Sequence, residues 1–206
     1  MKYSTFILVG VCVIIFLLQI SIQGFTDNFV LKKELLFNEP WRLLTSIFLH
    51  SGIPHLLLNM FSLALFGIIL ENIIGTRRFL LIFFISGLIA SLFSGFFYNS
   101  ALGASGAIFG IIGNLIILRP KLMIWVYGVP MPMFLAGIVY LIVNLFGVFL
   151  QIGNTGYIAH LFGLVIGLLF GFLYYNKFKE KKIKNKMYDG LIEKELDEWE
   201  RKNKMR

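Results

Sequence analysis

The sequence predicts an all-α membrane protein: six transmembrane helices packed as a bundle over residues 1–176, both termini cytoplasmic, followed by a charged cytoplasmic tail over 177–206. Three observations carry this. First, 58% of the 206 residues are hydrophobic and only 15% are charged, where a soluble domain of this length carries about a quarter charged residues. Second, six apolar runs are each long enough to cross a hydrocarbon core, which needs roughly 17–25 residues per helix. Third, apart from the first connection, where Lys32, Lys33 and Arg42 are matched by Asp27, Glu34 and Glu39, Lys and Arg fall on alternate connections, the signature of a fixed orientation. The formal charge of +8 does not indicate nucleic acid, because 11 of the 19 Lys and Arg follow Asn176, outside the apolar body. Basic residues beside apolar spans face anionic lipid headgroups.

The first run, residues 5–22, follows Lys2 and imitates a signal peptide. It is longer than a typical h-region, and Ser21-Ile22-Gln23-Gly24 offers no small-x-small cleavage site, so a retained span is expected. Cys12 lies inside it as the only cysteine, which excludes an intrachain disulfide and fits a small buried hydrophobe. The connection over 23–54 is long and amphipathic, with Phe25, Phe29, Leu31, Leu35, Leu36, Phe37 and Trp41 among Lys32, Lys33 and Arg42. Two placements fit it: a segment in the outer interface anchored by Trp41 and the basic side chains, or a lid packed on the helix ends. His50, in this loop, is expected at the surface.

Further runs cover 55–74, 79–98, 102–118, 131–150 and 157–175. Backbone in lipid must satisfy its own hydrogen bonds, so these should be helices. The fifth is the least sharply bounded, because residues 122–129 are also apolar while Pro130 and Pro132 interrupt the pattern. Arg77 and Arg78 lie between the second and third runs, Arg119 and Lys121 between the fourth and fifth, and Lys177, Lys179, Lys181 and Lys182 after the sixth. The connections around Asn99 and over 151–156 have no Lys or Arg. In the tail, Tyr188, Leu191, Ile192, Glu195 and Trp199 fall at helical spacing, either a stripe on the inner leaflet or a solvated helix.

Ionisable residues inside spans are costly and mark function by default. Those in the runs are His55, Glu71 and His160, joined by the polar Asn59 and Ser105. If the second, fourth and sixth runs cross in the same direction, then His55, Asn59, Ser105 and His160 all lie near the outer ends of three helices, at similar depth. Glu71, at the other end near Arg77 and Arg78, reads as structural. Gly103, Gly106, Gly110 and Gly113 surround the serine, and Gly156, Gly163, Gly167 and Gly171 accompany the histidine. Small residues at this spacing let backbones approach. Close packing without chemistry would use the same glycines, and each polar residue alone fits interhelical hydrogen bonding.

Together they form the parts of an acyl-transfer site. A serine hydroxyl needs a base to become a nucleophile, and His160 titrates in the right range for one. Donors must await the charge that develops on the attacked carbonyl. The Ser105 N–H, the Asn59 amide and the His55 ring are the candidates. No aspartate lies near these helix starts, so a Ser-His dyad is expected.

At this point Trp41-Arg42, His55-Leu-Leu-Leu-Asn59, Gly103-Ala-Ser105-Gly106 and Ala159-His160-Leu-Phe-Gly163 together resemble the rhomboid family, over roughly residues 41–171. The resemblance implies a rhomboid-like six-helix bundle with a recessed site. Ser105 would be the nucleophile, His160 the general base and then acid, and His55, Asn59 and the Ser105 N–H the oxyanion hole of an intramembrane serine protease. Single-span membrane proteins would be the substrates, cut near the outer end of their helix, and residues 131–150 with the loop over 151–156 would act as gate and cap. It implies no metal or other cofactor and no nucleic-acid partner. Many family members carry tyrosine four residues after the nucleophile, stacked under the histidine; here that residue is Phe109, so the stacking can persist without a phenolic hydrogen bond. The competing readings are a non-proteolytic relative that binds membrane clients and a small transporter using histidines as proton sites. The dyad favours the protease over the first, and the lack of an internal repeat disfavours the second. A bacterial plasma membrane is the expected location.

Overall fold

The structure, a computed structural model, describes residues 3–126, 128–150 and 155–178. Its frame is six helices: α1 (Ser4–Ser21), α2 (Ile53–Ile74), α3 (Thr76–Phe97), α4 (Ser105–Leu118), α5 (Met133–Leu150) and α6 (Tyr157–Phe178). All but α4 are long and apolar enough to cross a membrane. α4 has 14 residues, a length of about 21 Å at 1.5 Å per residue, short of the ~30 Å hydrocarbon core. The predicted fourth run from residue 102 therefore shortens at its start. Gly103 has φ 120°, a conformation outside the helical region that glycine adopts without a Cβ penalty, and its N–H is bonded to the Ser46 carbonyl at 2.9 Å.

α4 is the centre of the bundle, with Ile108, Ile111, Ile112 and Leu115 all buried. Contacts along it fix the direction of its neighbours. Gly106 abuts Ala90 and Gly110 abuts Ser86, so α3 runs antiparallel to α4. Gly163 meets Gly106 and Gly167 meets Gly110, so α6 runs parallel to α4. Phe109 touches Tyr140 while Gly137 faces Ile116, so α5 is antiparallel to α4. A turn at Gly75 reverses the chain between α2 and α3. α2, α4 and α6 thus share one direction, as the placement of the polar residues requires. Arg77, Arg78, Arg119, Lys121 and Lys177 accordingly collect at one end, where the Arg78 guanidinium lies 5.8 Å from the Tyr174 ring centroid. The outward faces carry Phe146, Phe149, Phe172 and Leu173, an apolar surface suited to hydrocarbon. The chain is an integral, multi-pass membrane protein.

Glu71 behaves as a structural residue. Buried near the end of α2, its carboxylate accepts hydrogen bonds from the Ser4 and Thr5 hydroxyls, the Thr5 N–H and the Thr76 hydroxyl, tying α1 to α2 and α3. A buried carboxylate needs this many donors to offset its lost hydration.

The connection before α2 takes the second of its two placements, a folded unit docked on the bundle: Leu36 and Ile47 pack into the space left by Gly95 and Gly87 of α3. β1 (Leu31–Lys32) pairs antiparallel with β2 (Ser100–Ala101). Three expectations need correction. First, Arg42 is buried and is not a headgroup anchor. Its guanidinium donates to the Asp27 and Val30 carbonyls at 2.9 and 2.8 Å and pairs with Glu39, satisfying backbone carbonyls that a loop cannot pair by itself. Phe37 and Trp41 remain exposed. Second, His50 is not a surface residue; it is 2% exposed. Gln19 at the end of α1 bonds both its backbone N–H and its carbonyl, and its Nδ1 lies 3.2 Å from the Phe48 carbonyl. Third, the apolar residues after α4 form a hairpin, β3 (Met123–Val126) with β4 (Val129–Pro132), and α5 starts only after Pro132. The expected tail helix and residues 151–154 of the cap loop lie outside the described residues.

Candidate active site

The loop unit and α4 fix Ser105 between them. Residues 98–104 bridge α3 to α4, held by the β1–β2 pair, by the Lys33 N–H on the Asn99 carbonyl at 3.0 Å, and by the Gly103–Ser46 bond. Ser105 then opens α4. Amides of a helix's first turn have no intrahelical partner, and the helix dipole favours negative charge there. The Ser105 N–H is one such donor.

His160 lies in the first turn of α6. The Tyr98 hydroxyl accepts from the Ile158 N–H at 3.2 Å, satisfying one of the amides at this helix start. α4 and α6 meet backbone to backbone: a Cβ built on Gly163 would fall on the Gly106 carbonyl, and one on Gly167 on the Gly110 carbonyl. Gly106 follows Ser105 and Gly163 is one turn after His160, so this contact brings together the helix segments that carry the two residues. Both line one cavity of about 1190 Å³, together with His55 and Asn59. All four residues singled out in the sequence therefore share one space.

The His160 ring stacks on Phe109, with centroids 4.3 Å apart and planes 11° from parallel. The phenylalanine keeps the stacking geometry without a hydroxyl. Nδ1 of His160 is 2.8 Å from Oδ1 of Asn144 on α5, a partner the sequence reading missed. The His55 ring sits against Gly103: a Cβ there would come 2.8 Å from its Cε1 and 3.0 Å from its Nε2. Its Nδ1 is 3.0 Å from the Ser51 hydroxyl. Asn59 is buried, and its amide donates to the His55 carbonyl at 2.9 Å, which uses one of its two N–H groups. His50 supports His55 from behind, its ring 5.2 Å away and edge-on. Burial, reinforced by His55, pushes the His50 imidazole down to about 4, so it is neutral at pH 7.

The arrangement supplies a hydroxyl, an imidazole, and amide and ring donors around a space large enough for both a backbone segment and water. Comparison with known proteins gives the family. A sequence model described as the rhomboid domain matches residues 38–177, which include all four residues. The chain is similar to RHOMBOID-like protein 6, mitochondrial, of Arabidopsis thaliana, with 38% identity over 146 residues, 69% of this chain and 46% of that protein. It is similar to Rhomboid protease GluP of Bacillus subtilis (strain 168), with 34% identity over 210 residues, 83% of this chain and 40% of that protein. It is also similar to Inactive RHOMBOID-like protein 8 of Arabidopsis thaliana, with 41% identity over 81 residues, 38% of this chain and 23% of that protein. The chain spans less than half the length of each of these relatives.

Proposed function

The chain belongs to the rhomboid family, and on that footing we propose that it is an intramembrane serine endopeptidase that cuts single-span membrane proteins through a Ser105–His160 dyad. The observation that carries this is the shared cavity of Ser105 and His160, whose helices are held in backbone contact by Gly106 and Gly163. In this reading the basic end of the bundle is cytoplasmic, the chain crosses the membrane six times with α4 as its short crossing, and the site opens toward the outer side of a bacterial plasma membrane.

The chemistry follows from the parts. His160 Nε2 takes the Ser105 proton as Oγ attacks the substrate carbonyl carbon. The resulting oxyanion is met by the Ser105 N–H, the free N–H of Asn59 and the His55 ring. His160 then protonates the leaving amine, and the C–N bond breaks to leave an acyl ester on Ser105. Water enters through the cavity, gives a proton to His160, and attacks the ester carbon; the bond to Ser105 Oγ then breaks, His160 returns the proton to Oγ, and the second fragment leaves as a carboxylic acid. A helical substrate hides its carbonyls in its own hydrogen bonds, so cleavage falls near a helix end, where small or helix-breaking residues loosen the backbone.

The name of one relative, Inactive RHOMBOID-like protein 8, motivates a second reading, a client-binding protein without proteolysis. Reconstitution in liposomes with a single-span substrate separates them. Wild type should release two fragments and Ser105→Ala none. Fragments released equally by both would remove the serine mechanism, and none from wild type across several substrates would favour the client-binding reading.

A further inference from the structure

We propose that Asn144 is a positioning residue for His160, so that the dyad works as a Ser105–His160–Asn144 triad with an amide oxygen where soluble hydrolases commonly place a carboxylate. This rests on the protease reading and extends it to a residue on α5.

The hydrogen-bond logic is closed. The Asn144 Nδ2 donates to the Tyr140 carbonyl at 2.7 Å. A backbone carbonyl only accepts, so this end of the amide must be the nitrogen and the other end the oxygen. That oxygen, Oδ1, lies 2.8 Å from His160 Nδ1. An amide oxygen cannot donate, so Nδ1 must carry a proton. The neutral imidazole then has its lone pair at Nε2, the nitrogen that has to accept the Ser105 proton. The opposite tautomer would set two lone pairs against each other.

Stacking on Phe109 fixes the plane of the ring but leaves its rotation within that plane unset. Phe109 has no hydroxyl to set it. The Asn144 bond does. Asn144 is 3% exposed, at the wall of the same cavity. Tyr140, one turn before Asn144, closes edge-on against Phe109 at 5.5 Å and 75°. One face of α5 therefore holds both the imidazole's Nδ1 and the ring on which it stacks. Asparagine in membrane helices also serves simply as interhelical glue, and the test has to separate the two roles.

The test uses the full chain in liposomes. Asn144→Leu keeps the volume and removes the acceptor; Asn144→Asp keeps an acceptor. The readouts are the rate of fluorophosphonate labelling at Ser105, kcat and KM for a single-span substrate, and the 15N spectrum of labelled histidine, with His160 identified by its loss in His160→Gln. Positioning predicts a fall of about 10- to 100-fold in labelling rate and kcat for Asn144→Leu, less than the roughly 100- to 10,000-fold that loss of the general base itself would cost. KM should stay within about twofold. Asn144→Asp should recover most of the loss. The His160 signal should change from the Nδ1–H tautomer to a mixture in Asn144→Leu alone. Wild-type labelling and tautomer in Asn144→Leu would overturn the proposal, as would equal loss in both variants with unchanged tautomer, the pattern of glue. If wild type takes no probe and cleaves nothing, the protease reading fails, while the tautomer spectra still decide the Asn144–His160 pairing.

Discussion

Gly163→Ala adds one methyl group where the structure has no room for it. The new Cβ would overlap the Gly106 carbonyl oxygen and lie 2.9 Å from its carbonyl carbon and 3.3 Å from its Cα. Non-bonded carbons prefer about 3.5–4.0 Å, so relief of the carbon contact alone needs roughly 0.6 Å, and the oxygen contact needs more. The obstacle is backbone, so no side chain can swing aside. α6 must therefore move from α4 by on the order of 1 Å, and a misplacement of that size costs about 100-fold in rate. The move separates His160 from Ser105, because each is carried by the helix segment being pushed. Overpacking also costs about 1–3 kcal/mol of stability, so folding must be followed in parallel. Leu173→Ala, on the exposed face of α6, serves as control. Proteoliposome cleavage should show a kcat about 100-fold down in Gly163→Ala with KM nearly unchanged, complete loss in Gly163→Val, and wild-type turnover in Leu173→Ala. Turnover of Gly163→Ala within twofold of wild type, in folded protein, would refute the claim that the Gly106–Gly163 contact sets the catalytic distance.

Asn59→Ala should lower kcat by about 100-fold with little change in KM, since its free N–H serves charge present only during attack; a defect confined to KM would remove it from the oxyanion hole. Gly103→Ala should lose activity and stability together, because the residue combines φ 120° with a Cβ only 2.8 Å from the His55 ring; an unchanged melting temperature and kcat would contradict this. His50 predicts a pH effect on stability. Its folded value of about 4 lies below the ordinary 6.5, so between these values the unfolded chain binds more protons than the folded one. Its contribution is thus complete above about pH 6.5 and is lost as pH falls toward 4, amounting to about 3 kcal/mol at 1.36 kcal/mol per unit. Melting in detergent should show this decline, and His50→Gln should flatten it; an equal slope in both would assign the decline to other groups.

Much of the site was legible because lipid makes polar residues conspicuous. Ser105 and His160 stand out in apolar runs, and the glycines that follow each one mark the faces on which their helices meet. Asn144 also lies in an apolar run, but a lone amide in mid-helix reads as glue, and only the fold brings it to a histidine 16 residues later. His50 looked exposed because its loop carries lysines and an arginine. Its burial depends on Gln19 of α1 and on the docking of Leu36 and Ile47 against α3, contacts between residues distant in sequence. Arg42 misled for a related reason: a cation beside tryptophan resembles an interfacial anchor, whereas here it satisfies loop carbonyls. The β3–β4 hairpin escaped because an apolar run with two prolines has neither helical nor strand period clearly. α4 starts at Ser105, later than its apolar run, since the Gly103–Ser46 bond is tertiary.

The central claim is that Ser105 becomes acylated with His160 as its base. The most direct measurement is labelling of the reconstituted protein with a fluorophosphonate, followed by peptide mass spectrometry to locate the adduct. The account predicts a single adduct on Ser105, none in Ser105→Ala, and labelling slowed by about 100-fold or more in His160→Ala, with all three proteins folded. An adduct on another residue, or labelling of His160→Ala at the wild-type rate, would contradict it.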